Sequence, residues 1–148
     1  MDICIRKATQ GDLPTILELY SVFEPENAPR FNLLDAERIF SKINGYPNYA
    51  IYIAELDEKI VGTFALLIMD NLAHLGKPEG IVENVVVHPQ TQGHGVGKIM
   101  MKRAMEICTE AGCYKFVLSS NLIREQAHKF YESLGFEKYG YSFRINTE

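Results

Sequence analysis

The chain has 148 residues, of which 47% are hydrophobic and 23% are charged, a composition typical of one globular domain and not of a disordered segment. Its 15 basic and 19 acidic residues give a net charge of −4, which argues against a strongly basic protein that binds nucleic acid or a membrane surface. The longest apolar run, residues 64–69, is too short to span a bilayer, and the first six residues do not resemble a signal peptide. Composition therefore predicts one soluble domain over residues 1–148, located in the cytoplasm.

The cysteines predict no metal site. Cys4, Cys108 and Cys113 are an odd number, and their spacing relative to the four histidines matches no metal-binding pattern. Such usage is typical of reduced core residues in an intracellular protein.

The first part of the chain predicts one strand and two helices. A half-buried strand begins at residues 3–5, where apolar and polar residues alternate. Asp12 as N-cap and Pro14 in the first turn then begin a helix. The apolar residues of this helix fall at helical spacing: Leu13, Ile16, Leu17 and Tyr20. Residues 24–31 form a loop, and a second amphipathic helix covers residues 34–43.

The middle of the chain predicts a β-hairpin. Residues 49–56 and 59–69 are rich in β-branched and aromatic side chains, and the polar pair Asp57 and Glu58 joins them. The following loop, residues 70–80, is long enough to form the rim of a pocket.

The remaining elements alternate strands with helices. They are a strand at 81–87, a loop at 89–93, a helix at 95–111, a strand at 114–119, a helix at 124–134 and a terminal strand pair at 136–146 that turns near Gly140. Only residues 81–119 form a strand–helix–strand crossover, so the sheet should be mixed. The predicted class is α/β, with one mixed and mostly antiparallel sheet flanked by about four helices.

The most informative segment is a loop that carries three glycines, Gly93, Gly95 and Gly97, between a strand and a helix. Glycine allows backbone amides to approach a ligand closely, and a helix N-terminus presents unpaired N–H groups and a positive dipole end. Together these features predict a site for phosphate or pyrophosphate.

Two common phosphate-binding motifs are excluded. A Walker loop would require glycine at Gln92 and serine or threonine at Ile99. A dinucleotide fingerprint would require its last glycine at Lys98 or at Met100, depending on which glycine begins the motif.

The pattern that does fit is Gln-x-x-Gly-x-Gly, at Gln92, Gly95 and Gly97. Through it the chain resembles the GNAT superfamily of acyl-CoA-dependent N-acetyltransferases. The preceding Val-x-Val strand end, the His-Pro pair after it and the Gly-Lys pair that opens the helix agree with the family pattern. The resemblance extends over nearly the whole chain, from residues 5–14 to residues 127–136. The alternative is a glycine-rich turn that only begins a helix.

The resemblance implies a sheet that splays between its fourth and fifth strands, with the pantetheine arm of acetyl-CoA in the gap. It also implies that strand backbone binds the arm and that loop amides bind the pyrophosphate. The cofactor-binding residues so implied are Val85, Val86, Val87, Gln92, Gly93, His94, Gly95, Val96, Gly97, Lys98, Asn121 and Arg124. Arg124 stands where many members have asparagine. It would contact the CoA 3′-phosphate or an anionic group of the substrate, or else it is an exposed residue at a helix start.

Transfer of an acetyl group to an amine requires a base for the ammonium proton and a proton for the departing thiolate. The resemblance implies that Tyr131 is the acid close to the thioester sulfur; the alternative is a core tyrosine that packs the last helix. Glu83 is the preferred base, acting through a water, and its alternative is a solvated strand residue. His88 and His94 are less favoured as bases, and His74 is a weaker candidate for substrate contact.

These expectations describe an acetyl-CoA-dependent N-acetyltransferase in which the primary amine of a small molecule attacks directly in a ternary complex. The segment from Arg124 to Tyr131, taken with Glu83, most resembles the small-molecule amine branch, including aminoalkylphosphonate acetyltransferases. The alternatives are a protein N-terminal or lysine acetyltransferase and a non-catalytic acyl-CoA-binding module. Family habit implies a homodimer. Acceptor specificity is expected in residues 20–34 and 70–80.

Overall fold

A computed structural model describes residues 2–148 of the chain. The described residues group into a unit that ends at Val117 and a second unit, Leu118–Glu148. The first unit contains these regular elements: β1 (Ile3–Lys7), α1 (Leu13–Tyr20), α2 (Leu33–Asn44), β2 (Tyr49–Leu56), β3 (Lys59–Met69), β4 (Glu79–Val87), α3 (Val96–Glu110) and β5 (Lys115–Val117). The second unit contains α4 (Glu125–Ser133).

The five strands form one sheet in the order β1-β2-β3-β4-β5. The strands β1 to β4 are antiparallel to one another in sequence, and β5 runs parallel to β4. The predicted mixed, mostly antiparallel sheet is therefore confirmed. β4 pairs with β5 only from Glu79 to Ile81, so the rest of β4, up to Val87, has no strand beside it on the β5 side within the described chain. The fourth and fifth strands were expected to splay apart at this place.

The predicted hairpin of β2 and β3 is confirmed with its boundaries unchanged. Asp57 and Glu58 both adopt left-handed backbone angles, with φ of 49° and 62°. A two-residue turn of this kind has the twist that joins two antiparallel strands. The hairpin therefore follows directly from local sequence.

The sheet carries α1 and α3 on opposite faces. A Cβ added to Gly62 of β3 would lie 2.6 Å from Met100 Sδ of α3, so Gly62 faces α3. The next residue, Thr63, points to the other face and lies near Tyr20 of α1, because successive strand residues alternate between faces. We call the side that Thr63 faces the α1 face. The most deeply buried large side chains of the core come from the sheet and both helices: Phe64, Ile16, Ile53, Leu66, Met100, Met101, Val82 and Val96.

The expected terminal strand pair is wrong. No strand is present over residues 136–146, and no turn occurs near Gly140. Apolar and polar residues do alternate there, but alternation alone does not make a strand, since a strand also needs a neighbour to complete its backbone hydrogen bonds. The described strands of the sheet are β1 to β5.

Two smaller expectations also need correction. All three cysteines are free thiols, but Cys4 is exposed and only Cys108 is buried. Cys4 occupies an outward position of β1, which is an edge strand.

Asp12 does not cap α1 with its side chain. A short 3₁₀ turn precedes the helix, and the Asp12 carboxylate instead accepts hydrogen bonds from the Thr9 N–H and from Arg6 Nη1, both at 2.7 Å. Arg6 also pairs with Glu55 of β2 at 3.0 Å. The Arg6 guanidinium lowers the pKa of Asp12 to about 2. Through Arg6, the Asp12 carboxylate therefore connects the start of α1 to β1 and β2.

Candidate active site

The turn that follows β4 is stabilised by hydrogen bonds between its own side chains and its backbone. His88 Nδ1 accepts a hydrogen bond from the Gln90 N–H at 3.1 Å, and the Thr91 hydroxyl donates to His88 O at 3.0 Å. The Gln92 side-chain amide donates to Val87 O at 3.1 Å. Gln92, the first residue of the sequence motif, thus connects the loop back to the end of β4. Its side chain shapes the loop, and the ligand contact that the resemblance implies for Gln92 stays a prediction.

Two of the loop's three glycines are required by backbone conformation. Gly93 and Gly95 have φ of 81° and 84°, in the left-handed region that glycine adopts without strain. A Cβ added at either position would meet no described atom within 4 Å. The loop backbone is therefore open on this side, and space for a ligand remains next to it.

The N-terminus of α3 presents free amides at the same place. The first intrahelical bond is donated by the Ile99 N–H to Gly95 O at 3.1 Å. The amides of Val96, Gly97 and Lys98 precede it, so no carbonyl lies one turn earlier to accept from them. They point along the positive end of the helix dipole. The His94 N–H, by contrast, donates within the loop to Thr91 O at 3.4 Å. The structure thus provides three adjacent donors for an anion.

A β-bulge interrupts β4 just before this loop. Glu83 lies opposite Ala65 and Val86 lies opposite Thr63, so Asn84 and Val85 together face a single residue of β3. Asn84 adopts φ of 53°, a conformation that asparagine tolerates better than most residues. Sequence reasoning missed the bulge, and the only local signal for it is an asparagine inside an otherwise apolar strand.

The bulge places Glu83 and Val86 on the same face of the sheet. Opposed residues in an antiparallel pair share a face, and both Ala65 and Thr63 belong to the α1 face. Val86 is buried there, whereas Glu83 is exposed. The Glu83 side chain makes no hydrogen bond or ion pair with the described residues. Its carboxylate is therefore accessible on the α1 face.

The three valines that were expected to hold the pantetheine arm lie beyond the bulge. Val86 contributes its side chain to the core, whereas Val85 and Val87 are half-buried. All three belong to the part of β4 that has no described strand on the β5 side. Backbone groups of this segment are thus placed where a ligand could take the position of a strand.

Tyr20, the last residue of α1, has a buried hydroxyl that lacks a hydrogen-bond partner of good geometry among the described residues. It lies near the Thr63 hydroxyl and Tyr49. The Thr63 hydroxyl, however, donates its one proton to Tyr52 O at 2.8 Å. Burial raises the pKa of Tyr20 to about 12, so its phenol is neutral at physiological pH. A buried hydroxyl without a partner calls for a water or a ligand.

Tyr20 also lies beside the paired residues Ala65 and Glu83 on the α1 face. Its neighbour Tyr49 pairs with Leu67 of β3, and its neighbour Thr63 belongs to β3 itself. Ala65 lies between these two β3 residues and pairs with Glu83 of β4. Helical periodicity assigned Tyr20 to the core, and no sequence signal marks its unpaired hydroxyl.

In the second unit, Tyr131 of α4 is 9% exposed. Its ring packs against Phe130 at a centroid distance of 5.3 Å and edge-on against Phe136 at 5.6 Å. Burial raises the pKa of Tyr131, and the nearby positive charge of Arg124 opposes that shift. The hydroxyl is therefore protonated at neutral pH and is able to donate.

Asn121 and Arg124 precede α4 and are both exposed. The Asn121 side chain accepts a hydrogen bond from the Ile123 N–H at 3.1 Å, and Asn121 O is 2.8 Å from His128 Nε2. Asn121 thus shapes the turn before the helix, whereas Arg124, the N-cap residue of α4, presents its guanidinium to solvent.

The remaining histidines are engaged locally. His94 is exposed, and its Nδ1 is 3.3 Å from Thr91 O. His74 lies in the predicted rim loop, where its ring stacks on Tyr114 at a centroid distance of 4.2 Å. No group of three or more potential metal ligands occurs among the described residues, and no described helix is long and apolar enough to cross a membrane.

Known proteins share this arrangement over most of the chain. The sequence profile of the acetyltransferase (GNAT) family matches residues 13–136. A solved structure of a putative acetyltransferase from Agrobacterium tumefaciens superimposes with a TM-score of 0.91 at 35% identity, covering 97% of this chain and 99% of that one.

Two curated relatives act on small amines by name. Glucosamine 6-phosphate N-acetyltransferase of Trypanosoma brucei brucei is 36% identical over 88 residues, which are 60% of this chain and 58% of that protein. Aminoalkylphosphonate N-acetyltransferase of Salmonella typhimurium is 29% identical over 154 aligned positions, covering 97% of this chain and 91% of that protein. The chain spans about half the length of the curated relatives it matches first. These matches confirm the resemblance that the glycine motif predicted.

Proposed function

Because the chain belongs to the acetyltransferase (GNAT) family, we propose that it transfers an acetyl group from acetyl-CoA to the primary amine of a small molecule in the cytoplasm. The observation that carries this proposal is the open glycine loop at the end of β4. There, left-handed Gly93 and Gly95 lead into the free amides of α3. A pyrophosphate fits such a set of donors by charge and by hydrogen bonding.

The residues present fit acetyl-CoA along the length of β4. The amides of Val96, Gly97 and Lys98 would bind the pyrophosphate, and the exposed Lys98 side chain adds positive charge. The backbone of 85–87, which has no described strand on its β5 side, would bind the pantetheine arm. Acetyl-CoA supplies the activated thioester.

The chain's own residues would manage the protons. Glu83, exposed and without an ion pair, would accept the ammonium proton through a water, so that the amine nitrogen can attack the carbonyl carbon. The C–N bond forms and the C–S bond breaks. The Tyr131 hydroxyl would give its proton to the departing sulfur. The second proton of the amine nitrogen would leave to solvent, from which Tyr131 would recover its own.

Tyr20 would orient the acceptor or the relay water on the α1 face. Its neutral phenol lies beside the Glu83 row and has no protein partner of good geometry among the described residues. A donated hydrogen bond to the incoming molecule would satisfy this buried group.

The acceptor we propose carries both a primary amine and a phosphorus oxyanion. The two small-molecule relatives are named for glucosamine 6-phosphate and for aminoalkylphosphonates, which share that combination. The exposed guanidinium of Arg124 is suited to bidentate binding of such a group. The CoA 3′-phosphate is the alternative ligand for this side chain.

The test is release of CoA thiol from acetyl-CoA in the presence of a panel of amines. The panel contains 2-aminoethylphosphonate with ethylamine as its match, glucosamine 6-phosphate with glucosamine, and two peptides, one with a free N-terminus and one with a lysine. We expect the phosphorus-bearing member of at least one pair to have a kcat/KM at least about 10-fold higher, in keeping with a charged hydrogen bond.

Each other result has a definite meaning. Preference for a peptide would replace the small-molecule acceptor with a protein. Tight acetyl-CoA binding by calorimetry without thiol release from any amine would leave the acyl-CoA-binding module as the function.

A further inference from the structure

Two cysteines of the first unit meet at the C-terminal end of α3. The helix ends in a Schellman motif, in which the Cys113 N–H donates to Cys108 O at 3.0 Å and the Gly112 N–H donates to Thr109 O at 3.1 Å. Gly112 supplies the left-handed residue of the motif, with φ of 78°. The side chains at the first and last positions of this motif contact each other. A cysteine occupies each of these two positions.

The backbone geometry at this turn suits a disulfide. A hydrogen bond of 3.0 Å from the Cys113 N–H to Cys108 O holds the two Cα atoms less than about 7 Å apart, which is the limit for a disulfide without backbone movement. The thiols also reach each other, because the Cys108 S–H donates a hydrogen bond to the Cys113 sulfur. Both residues are free thiols here. The bond between the sulfurs could therefore form without rearrangement of the helix end.

The two thiols differ in burial and in acidity. Cys108 is buried, whereas Cys113 is half-buried and more accessible to a reagent from solvent. Burial raises the pKa of both thiols, that of Cys108 to about 12, and the hydrogen bond received from Cys108 opposes the rise at Cys113. The thiolate is the reactive form of a cysteine. Cys113 is therefore the sulfur that reacts first, and Cys108 is already in contact with it as the second thiol.

The cysteine pair lies beside the place where β4 and β5 are joined. A Cβ added to Gly80 of β4 would collide with Cys108 Sγ, so this sulfur packs directly on the β4 backbone. Gly80 pairs with Phe116 of β5, and Cys113 lies two residues before β5 begins. A bond between the two sulfurs would thus fix the end of α3 to the start of β5, next to the short pairing of β4 with β5.

We propose that Cys108 and Cys113 are a redox-sensitive modification site, which a small-molecule disulfide such as oxidised glutathione converts to an intramolecular disulfide. The Cys113 thiolate attacks one sulfur of the oxidant, and one small thiolate leaves. Cys108 loses its proton to solvent and attacks the Cys113 sulfur, and the second small thiolate leaves. Two protein thiols are thus oxidised and one small disulfide is reduced to two thiols, which take up the two protons released.

Peptide mapping of the unsubstituted full chain after incubation with oxidised glutathione at about pH 8 tests the site. Glu110 lies between the two cysteines, so cleavage after glutamate separates them unless a disulfide joins the fragments. We expect the fragment that contains Cys108 to stay joined to the one that contains Cys113, and dithiothreitol to release both. Fragments that separate without reductant, or glutathione that stays on Cys113, would overturn the proposal.

Thermal unfolding after removal of the oxidant measures the effect on the fold. The melting temperature of the oxidised wild type should rise by about 4–8 °C, as expected for a disulfide that closes a short loop. Cys4→Ser, which removes the exposed thiol of β1, is the matched control and should show the same rise. Cys113→Ser should show none. A rise that persists in Cys113→Ser, or one that disappears in Cys4→Ser, contradicts the assignment of the pair.

Discussion

The two sides of the candidate site are built from different kinds of groups. On the proposed cofactor side the useful atoms are backbone amides of one continuous segment, Val96 to Lys98, which follows the left-handed glycines of the loop. On the proposed acceptor side they are side chains from three separate elements: Tyr20 of α1, Thr63 of β3 and Glu83 of β4. A backbone site depends on local conformation, whereas a side-chain site depends on how distant elements pack. The backbone site should therefore be sensitive to any Cβ added to its glycines. The side-chain site should be sensitive to the loss of a single polar atom.

The largest effect is expected from Gly95→Val on the cofactor side. Valine strains a left-handed position and places its side chain in the open space beside the α3 amides. We expect acetyl-CoA affinity, measured by calorimetry, to fall by about 100-fold or more.

Gly112→Val is the matched control for that variant. Gly112 has φ of 78° and equally open surroundings, but it follows the other end of α3. The free energy of unfolding should fall by a similar amount in both variants, about 1–2 kcal/mol. If Gly112→Val weakens acetyl-CoA binding as much as Gly95→Val does, the effect is general strain, and the loop is not the cofactor site.

Tyr131→Phe should lower kcat by about 10–10³-fold, which is about 1.4–4 kcal/mol of barrier. The substitution removes the proton donor and keeps the ring that packs on Phe130 and Phe136. Acetyl-CoA affinity and melting temperature should stay close to wild type. Tyr46→Phe, at an exposed position, is the control. Normal turnover of Tyr131→Phe at saturating acceptor would assign the tyrosine to packing.

Glu83→Gln should lower kcat/KM at pH 7 by about 10–100-fold, the lower part of the range for a general base. Activity should partly recover at high pH, where more of the acceptor amine is already neutral. Glu58→Gln, an exposed residue of the hairpin turn, should leave the pH profile unchanged. If Glu83→Gln also has the wild-type profile, Glu83 is a solvated strand residue.

Tyr20→Phe should raise the acceptor KM by about 3–10-fold, the value of one neutral hydrogen bond. The substitution should not destabilise the fold, because the hydroxyl that it removes is buried without a hydrogen-bond partner of good geometry. The melting temperature should therefore stay the same or rise. A lower melting temperature with an unchanged KM would instead indicate that the hydroxyl supports the fold.

The smallest effect is expected from Asp12→Asn. Asp12 has no role in the candidate site, so this substitution shows the size of a purely structural effect. The pKa of Asp12 is lowered from 3.8 to about 2 in the folded state, so folding favours the carboxylate. The stabilisation is complete above about pH 4 and is lost as the pH falls towards 2. Arg6 is 35% exposed, so solvent limits the pair to about 1 kcal/mol or less at pH 7. Urea unfolding at pH 7 and pH 2.5 measures it; an equal loss at both values contradicts the ion pair.

The sequence by itself determined the elements whose cause is local. The β2–β3 hairpin follows from two β-rich runs around a two-residue polar turn, and the glycine loop follows from residues that must adopt positive φ. The mixed sheet also followed, since only one strand–helix–strand crossover is present in the chain. These features depend on neighbours within a few residues, and such neighbours are visible in the sequence.

Only the tertiary structure decided the rest. The bulge at Asn84 shifts the alternation of β4 and thereby puts Glu83 and Val86 on one face, a consequence of pairing with β3 that a single strand does not reveal. The Tyr20 hydroxyl is buried without a hydrogen-bond partner of good geometry, and its neighbour Thr63 donates to Tyr52 O. These three residues lie on three different elements. The terminal alternation predicted a strand pair, but residues 136–146 contain no strand. Hydrogen bonds and side-chain burial between distant segments depend on packing, and packing is fixed only when the whole chain has folded.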